Sequence, residues 1–503
     1  MGISTVDGVI ILGYLIIVAL IGSLSGGKQR TINDYFLGGS NVPWWAVAFS
    51  IVAAETSSLT FISVPGLAYL TNLNFLQLSL GFLLARIIIA IVFLPAYKEG
   101  KIKTAYAFLK DRFGYRTQRF ASVVFLFTRI AADGVRLFAT AIPLAIILKA
   151  SPWFADSTNF QIYFVSIILI ALISFIYTYT GGMKGVIWAD VLQMSIYLGG
   201  AIIALFILWK HLPTDFSIPA QKWQVFNFDF GHSIGEFFRK PYTFLGALIG
   251  GTFLSMASHG TDQLIVQRLL STRTLRDSQK AIVASGLVIM FQFALFLVVG
   301  LFLYAFYHGI GLTDPAAPFH KPDEIFPYFI IHNLPVGVKG IIVAGLFAAA
   351  MSTLAGSMSS LSGSAMMDLY KPLKKKAQGD AKELLVSRLF TVIAAVVLTS
   401  VAFLFIKMSQ SVVEIALGIA SITYGGLLGV FLLGLLSKKV TERGALIGFA
   451  AGLLAMLSVS IPPIVMGKPP LVHWTWYVLI GSSVTIVFGL IFGRGAPQKV
   501  ETK

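Results

Sequence analysis

Apolar residues gather along this chain in thirteen blocks, near 7–25, 42–70, 75–97, 120–148, 161–180, 185–209, 243–267, 281–307, 340–367, 384–406, 412–436, 442–463 and 472–493. Each is long enough to supply the roughly 20 residues that cross a bilayer, allowing for polar interruptions. The pattern therefore predicts an all-α polytopic membrane protein of about 13 transmembrane helices. The longest polar connections, 210–242 and 308–339, are rich in Pro, Phe and Gly and serve either as covers of a vestibule or as plain connectors.

Two blocks are broken. The second contains "VAAETSSLTFISVPG", which puts Glu55, Thr56, Ser57, Ser58, Thr60 and Ser63 at membrane depth and ends in Pro65-Gly66, predicted to break any regular helix. The seventh contains Gly250-Gly251, Ser255, Ser258, His259, Gly260, Thr261 and Asp262. Lipid cannot satisfy broken backbone, so such segments must be buried in protein or line an aqueous cavity. Four intact blocks separate the two, and they enter the membrane from opposite sides. This is the signature of an inverted repeat of two five-helix units, with discontinuous first helices meeting near the midplane. Helix packing through small residues is the alternative, but it explains neither the charges nor the antisymmetric placement.

Composition agrees. Of 503 residues 56% are hydrophobic and 12% charged, with mean hydropathy +0.83, where soluble chains carry about 25% charged residues. Cysteine is absent, which excludes disulfides, thiolate metal sites and cysteine nucleophiles. The formal charge of +16 is a topology signal. With the N-terminus outside, 26 of the 38 Lys and Arg fall in cytoplasmic loops, nine outside and three (Arg86, Arg129, Arg136) within spans. The positive-inside rule thus expects a multi-pass protein of the cell (inner) membrane, N-terminus outside and C-terminus cytoplasmic, with no nucleic-acid partner. The segment "MGISTVD" lacks the basic residues of a secretory signal, so the first block is read as a retained helix.

The ninth block, "AGLFAAAMSTLAGSMSSLSGSAMMDLYK", carries a face of small and hydroxylated residues. Ser352 and Thr353, with Ala349 one turn earlier, place two hydroxyls and a carbonyl close together. A sodium ion wants several hard oxygen ligands, and unwound carbonyls near Ala53 and Thr56 can supply the rest. Alone, the serine face also suits helix packing. On the fourth block Arg129, Asp133 and Arg136 share one helical face, either as a buried ion-pair ladder or with an arginine reaching a cavity to take a carboxylate. Seven histidines without paired spacing predict no enzyme.

The segments "DYFLGGSNVPWWAVAFSIVAAETSS", "YTGGMKGVIWADVLQ", "GTDQLIVQRLL", "LPVGVKGIIVAGLFAAAMSTLAGSMSSLSGSAMMDLYK" and "GVFLLGLLSKKVTERGALIG" occur in the order found in the sodium/solute symporter family, which this chain resembles over nearly its whole length. That family includes sodium-coupled sugar, sialic acid, proline and pantothenate transporters. The resemblance implies a LeuT-like fold with an extra N-terminal helix at 1–26, five-helix repeats at 42–209 and 243–436, and peripheral C-terminal helices at 442–503. It further implies sodium as the coupling ion, a small polar solute as cargo, and a monomer as sufficient.

Residue by residue, the resemblance carries the principal sodium site onto the carbonyls of Ala53, Thr56 and Ala349 and the hydroxyls of Ser352 and Thr353. A second sodium site in some members uses hydroxyls where this chain has Ala355 and Gly356, so one sodium per substrate is expected. Asp190 matches an acidic residue near that second site or the cytoplasmic cation exit; a paired helix-end charge is the alternative. Substrate positions map to Glu55, Ser57 and Thr60, to Ser255, Ser258 and His259, and near Gln77 or Ser79. Sugar-transporting relatives use a lysine where Ile289 stands here, with Gln292 the nearest polar side chain. Arg129 and Arg136 are candidate partners for a substrate carboxylate; the sialic acid transporter's arginine falls near Ala132. Glu55, Thr60 and Gln77 lean toward a sugar or polyol, with an organic anion (sialic acid, monocarboxylate) or an amino acid such as proline as alternatives.

Overall fold

A computed structural model describes residues 3–100, 102–149, 153–374, 379–407, 412–466 and 468–493. Among these residues the fold is helical, and eight helices are long and apolar enough to cross a membrane, nine with one bent pair. Helices occupy each of the thirteen predicted blocks, with one of the eight, Asn159–Lys210, covering both the fifth and the sixth. The fourth (Tyr115–Lys149), the broken seventh and the eleventh, with its apolar helix Ile422–Leu436, complete the set.

The first span, Thr5–Ser25, opens with a capping box in which Ser4 and Asp7 satisfy each other's backbone N–H groups, as orphan donors at a helix start require. Asp7 Oδ1 also accepts from Gly337 N at 2.7 Å and Gly340 N at 2.9 Å, pinning this span to the start of the ninth. Val6, Val9, Leu12, Ile16 and Leu20 remain exposed on it, the apolar stripe expected of a helix at the lipid boundary. The ninth span, Val338–Leu373, is the opposite case, with 94% of its most apolar stretch buried. It is the axis on which the others pack.

The second span consists of the helices Trp44–Glu55 and Ser58–Leu70, bent by 63° where they meet. Extended backbone at Thr56 (φ −83°, ψ 108°) and Ser57 (φ −90°, ψ 166°) makes the break. Pro65-Gly66, expected to break the helix, does not: the second half runs through both to Leu70. Gly66 is there for contact, since a Cβ on it would lie 2.4 Å from Pro322 O.

The seventh span runs from Gly246 to Leu270 and breaks only at Asp262 (φ −84°, ψ 125°), whose carboxylate caps the following helix Gln263–Leu270 through Leu264 N at 2.9 Å. Gly250 and Gly251, read as part of the interruption, are helical; a Cβ on Gly250 would lie 2.5 Å from Thr475 O. Between the fifth and sixth spans Gly182 adopts φ 57°, ψ −160°, a conformation open in practice only to glycine.

Candidate functional site

The two breaks face the middle of the ninth span, and three polar clusters surround them. The first begins where the helix Trp44–Glu55 stops. A helix end leaves its last carbonyls without intrahelical donors. One of these, Ala54 O, accepts from Thr353 Oγ1 at 3.4 Å, and the same hydroxyl donates to Ala349 O at 3.3 Å. Ser352 Oγ donates to Asp190 Oδ1 at 2.6 Å. The other carboxylate oxygen accepts from Ser50 Oγ at 2.5 Å and Arg268 Nη2 at 3.0 Å. Hydroxyls and carbonyls from the second and ninth spans thus converge, with the buried Asp190–Arg268 pair immediately behind. A Cβ on Gly356 would meet the Arg268 guanidinium at 2.6 Å, so that glycine makes room for the arginine.

The second cluster lies around Glu55, the last residue before the break. Its carboxylate takes a hydrogen bond from Arg86 on the third span (Asn74–Glu99) and lies 3.3 Å from His259 Nε2. Arg86 also reaches His259 Nε2 at 3.0 Å and Ser285 Oγ, on the eighth span Leu275–Phe306, at 3.1 Å. His259 Nδ1 pairs with Ser258 Oγ at 2.8 Å, with Ser255 Oγ farther off at 3.4 Å. Glu55 keeps 16% of its side chain accessible while Arg86 is fully buried. Beside it, Gln292 Nε2 donates to Thr56 Oγ1 at 2.7 Å and Gln292 Oε1 accepts from Tyr197 OH at 3.0 Å, so the break is held from the sixth and eighth spans.

The third cluster is built on the fourth span. Arg129 donates to Asp262 Oδ2 through Nε at 2.9 Å and Nη2 at 2.5 Å, and to Tyr424 OH at 2.7 Å. Asp133 accepts from Ser357 Oγ at 2.5 Å and from Arg129 and Arg136, both at 3.4 Å. Arg136 retains 20% of its side-chain surface and borders a small cavity with Ser57, Asp133, Thr140, Ala350 and Thr353. Ser58 and Thr140 close one wall through a 2.5 Å hydrogen bond.

The sequence-derived residues sort accordingly. Ala349, Ser352 and Thr353 lie together with the end of the helix that contains Ala53 and closes at Thr56. Glu55, Ser255, Ser258 and His259 form one group, and Ser57 lines the cavity near half-buried Thr60. Gln77 stands apart from them. Its amide donates to Asn74 O and Tyr242 O and accepts from Asn227 N, which clamps the long 210–242 connection and places it away from the breaks. Gln292 is buried behind Thr56. Of the two candidate arginines, Arg129 is spent on Asp262, Tyr424 and Asp133, whereas Arg136 faces the cavity. Sequence reasoning missed Arg86, Arg268 and Asp262 as site builders. The signal for Arg86 was present, because an arginine inside an apolar span needs a partner, but only folding shows that the partner is Glu55.

Discontinuous helices meeting at a core of hard oxygens and cancelled charges define a secondary transporter of the LeuT-like class. A family model described as "Sodium:solute symporter family" matches residues 35–452, and the chain belongs to that family. It is 28% identical to the sodium/sialic acid symporter SiaT of Proteus mirabilis (strain HI4320), over 96% of this chain and 93% of the relative. It is also 28% identical to a sodium/glucose cotransporter of Vibrio parahaemolyticus, over 97% and 90% of the two chains. A solved structure of a substrate-bound, outward-open sodium-coupled sialic acid symporter superposes with TM-score 0.83 at 25% identity, covering 97% of each chain. The protein is a multi-pass sodium-coupled solute symporter and not an enzyme.

Proposed function

We propose that this protein imports a hydroxylated organic acid, of the acidic-sugar type, with one sodium ion, and that its N-terminus lies outside and its C-terminus in the cytoplasm. The observation that carries the substrate class is Arg136, a guanidinium at the cavity wall beside Ser57 and Thr140, suited to take a carboxylate while hydroxyls bind the remaining oxygens. The printed substrate of the sialic acid symporters above supports the same reading. Sodium binds the carbonyls of Ala53, Thr56 and Ala349 and the hydroxyls of Ser352 and Thr353. It ties the second span to the ninth and thereby raises affinity for substrate next to it; by linkage the effect is reciprocal.

Charge bookkeeping separates this reading from a neutral sugar or polyol. Glu55 with Arg86, Asp190 with Arg268, and the two aspartates Asp133 and Asp262 with Arg129 and Arg136 cancel formally. One sodium plus one carboxylate then adds no net charge, whereas one sodium plus a sugar adds one. Moving one charge is worth about 2.3 kcal/mol per 100 mV. Uptake into proteoliposomes under an imposed potassium diffusion potential is the test: sodium-driven uptake of an acidic sugar is expected to ignore the potential. Voltage-driven uptake of a neutral hexose, with no uptake of acids, sinks the substrate assignment.

A further inference from the structure

The ninth span carries a second buried constellation, sixteen residues beyond Ser352 and so about 24 Å along the helix. Asp368, 1% exposed, sits in a widened, π-helical turn, Ala365–Tyr370. Its Oδ1 accepts from Thr104 Oγ1 at 2.6 Å and Gln118 Nε2 at 2.8 Å, and its Oδ2 from Ser364 Oγ at 2.8 Å. The Ser122 hydroxyl is a further polar neighbour of the same carboxylate, and Gln118 Oε1 makes no hydrogen bond among the described residues. Thr104, Gln118, Ser122 and Ser364 are all buried.

Every neighbour in this shell is neutral. Of the bases on the same elements, Lys371 pairs with Glu383 at 2.9 Å, Arg112 donates to Ser437 O, and Lys103 and Arg119 are exposed. A carboxylate removed from water without a counter-charge is strongly disfavoured, and a buried polar oxygen without a partner calls for a ligand. Here both occur together. One carboxylate, three hydroxyls and an amide oxygen make a hard, all-oxygen donor set with a single negative charge. That composition suits a hard monovalent cation; a divalent ion would be left under-neutralised.

We infer that Asp368, Thr104, Ser122, Ser364 and Gln118 form a further sodium site, distinct from the one at Ser352 and at the end of the molecule proposed to face the cytoplasm. It joins three elements: the helix Ala105–Arg112, which Thr104 caps, the fourth span and the ninth. An ion there is resident rather than transported, so it leaves the count of one sodium per substrate unchanged; it staples them and favours the arrangement in which they are together. The site does not rest on the substrate assignment or on Ser352.

The test is sodium-dependent thermal stabilisation of the purified full-length protein in detergent, with choline replacing sodium as control. In Ser352→Ala, a sodium-dependent rise in melting temperature is expected to persist. Adding Asp368→Asn is expected to abolish it at sodium concentrations too low to fill the weakened Ser352 site. If the double variant does not fold, Ser122→Ala in the Ser352→Ala background removes one ligand only and is expected to raise the sodium midpoint several-fold. Loss of all sodium dependence in Ser352→Ala alone overturns the inference and leaves Asp368 protonated or hydrated. An unchanged midpoint on removing Ser122 or Asp368 overturns it equally.

Discussion

At the scale of single residues, the consequential observation is that Glu55 does not stand alone. A carboxylate beside a broken helix reads from sequence as a substrate ligand. Its hydrogen bond from Arg86 and proximity to His259 make it a cross-link between the second, third and seventh spans. Removing one member of a buried pair strands the other and typically costs about 3–5 kcal/mol. Arg86→Ala is therefore expected to lower thermal stability far more than Glu55→Gln combined with Arg86→Gln, in which no charge is stranded. Equal losses in the two proteins would show that the ion pair matters little. For the sodium site, Ser352→Ala is expected to raise the sodium concentration needed for half-maximal uptake at least tenfold, about 1.4 kcal/mol; an unchanged value removes Ser352 from the coordination shell. Arg136→Ala is expected to abolish uptake of a carboxylated substrate, and Arg136→Lys to restore it only in part, because lysine lacks the bidentate fork.

At the scale of elements, glycine divides into two uses that sequence alone does not separate. Gly66 and Gly250 sit inside helical segments and permit close approach of a neighbouring backbone. Gly182 instead supplies a positive φ, and a Cβ on it would also lie 2.7 Å from Tyr35 O. Gly182→Ala is expected to destabilise the junction of the fifth and sixth spans by about 1–3 kcal/mol, seen as a lower melting temperature with helix content retained. Wild-type stability would mean that the turn relaxes into another conformation. The helix breaks follow a similar logic. At Thr56 and Ser57 the chain opens because tertiary partners hold it, Gln292 donating to the Thr56 hydroxyl. Pro65 lies within a half-helix that packs tightly enough to stay helical, with Pro65 O near Gly300.

For the whole molecule, orientation and stoichiometry are the measurable quantities. The chain contains no cysteine, so single cysteines report on topology without background. With an impermeant maleimide on intact cells, His232→Cys is expected to react and Lys374→Cys to be protected; both positions are exposed in the structure. The reverse pattern inverts the proposed topology. Transport of one sodium per substrate is the outcome expected from Ala355 and Gly356, which offer no hydroxyl, and from the Arg268 guanidinium packed against Gly356. Parallel tracer fluxes giving two sodium ions per substrate would contradict it.

The class of fold was legible in the linear pattern because a bilayer imposes it. Hydrocarbon demands long apolar helices, so the thirteen blocks, and with them the placement of the two broken spans, are written in composition and order. The family motifs then pointed to Ser352, Thr353 and the end of the helix closing at Thr56. Which charges meet is a different kind of information. Glu55 and Arg86 are 31 residues apart, Arg129 and Asp262 133, and Asp190 and Arg268 78; no local spacing encodes those pairs. Only the packed structure decides that Arg129 is consumed while Arg136 faces a cavity, that Gln77 belongs to a loop clamp, and that Asp368 is ringed by neutral polar groups. The reason is physical: burial makes an uncompensated charge so costly that its role is set by its neighbours in space, whatever its position in the chain.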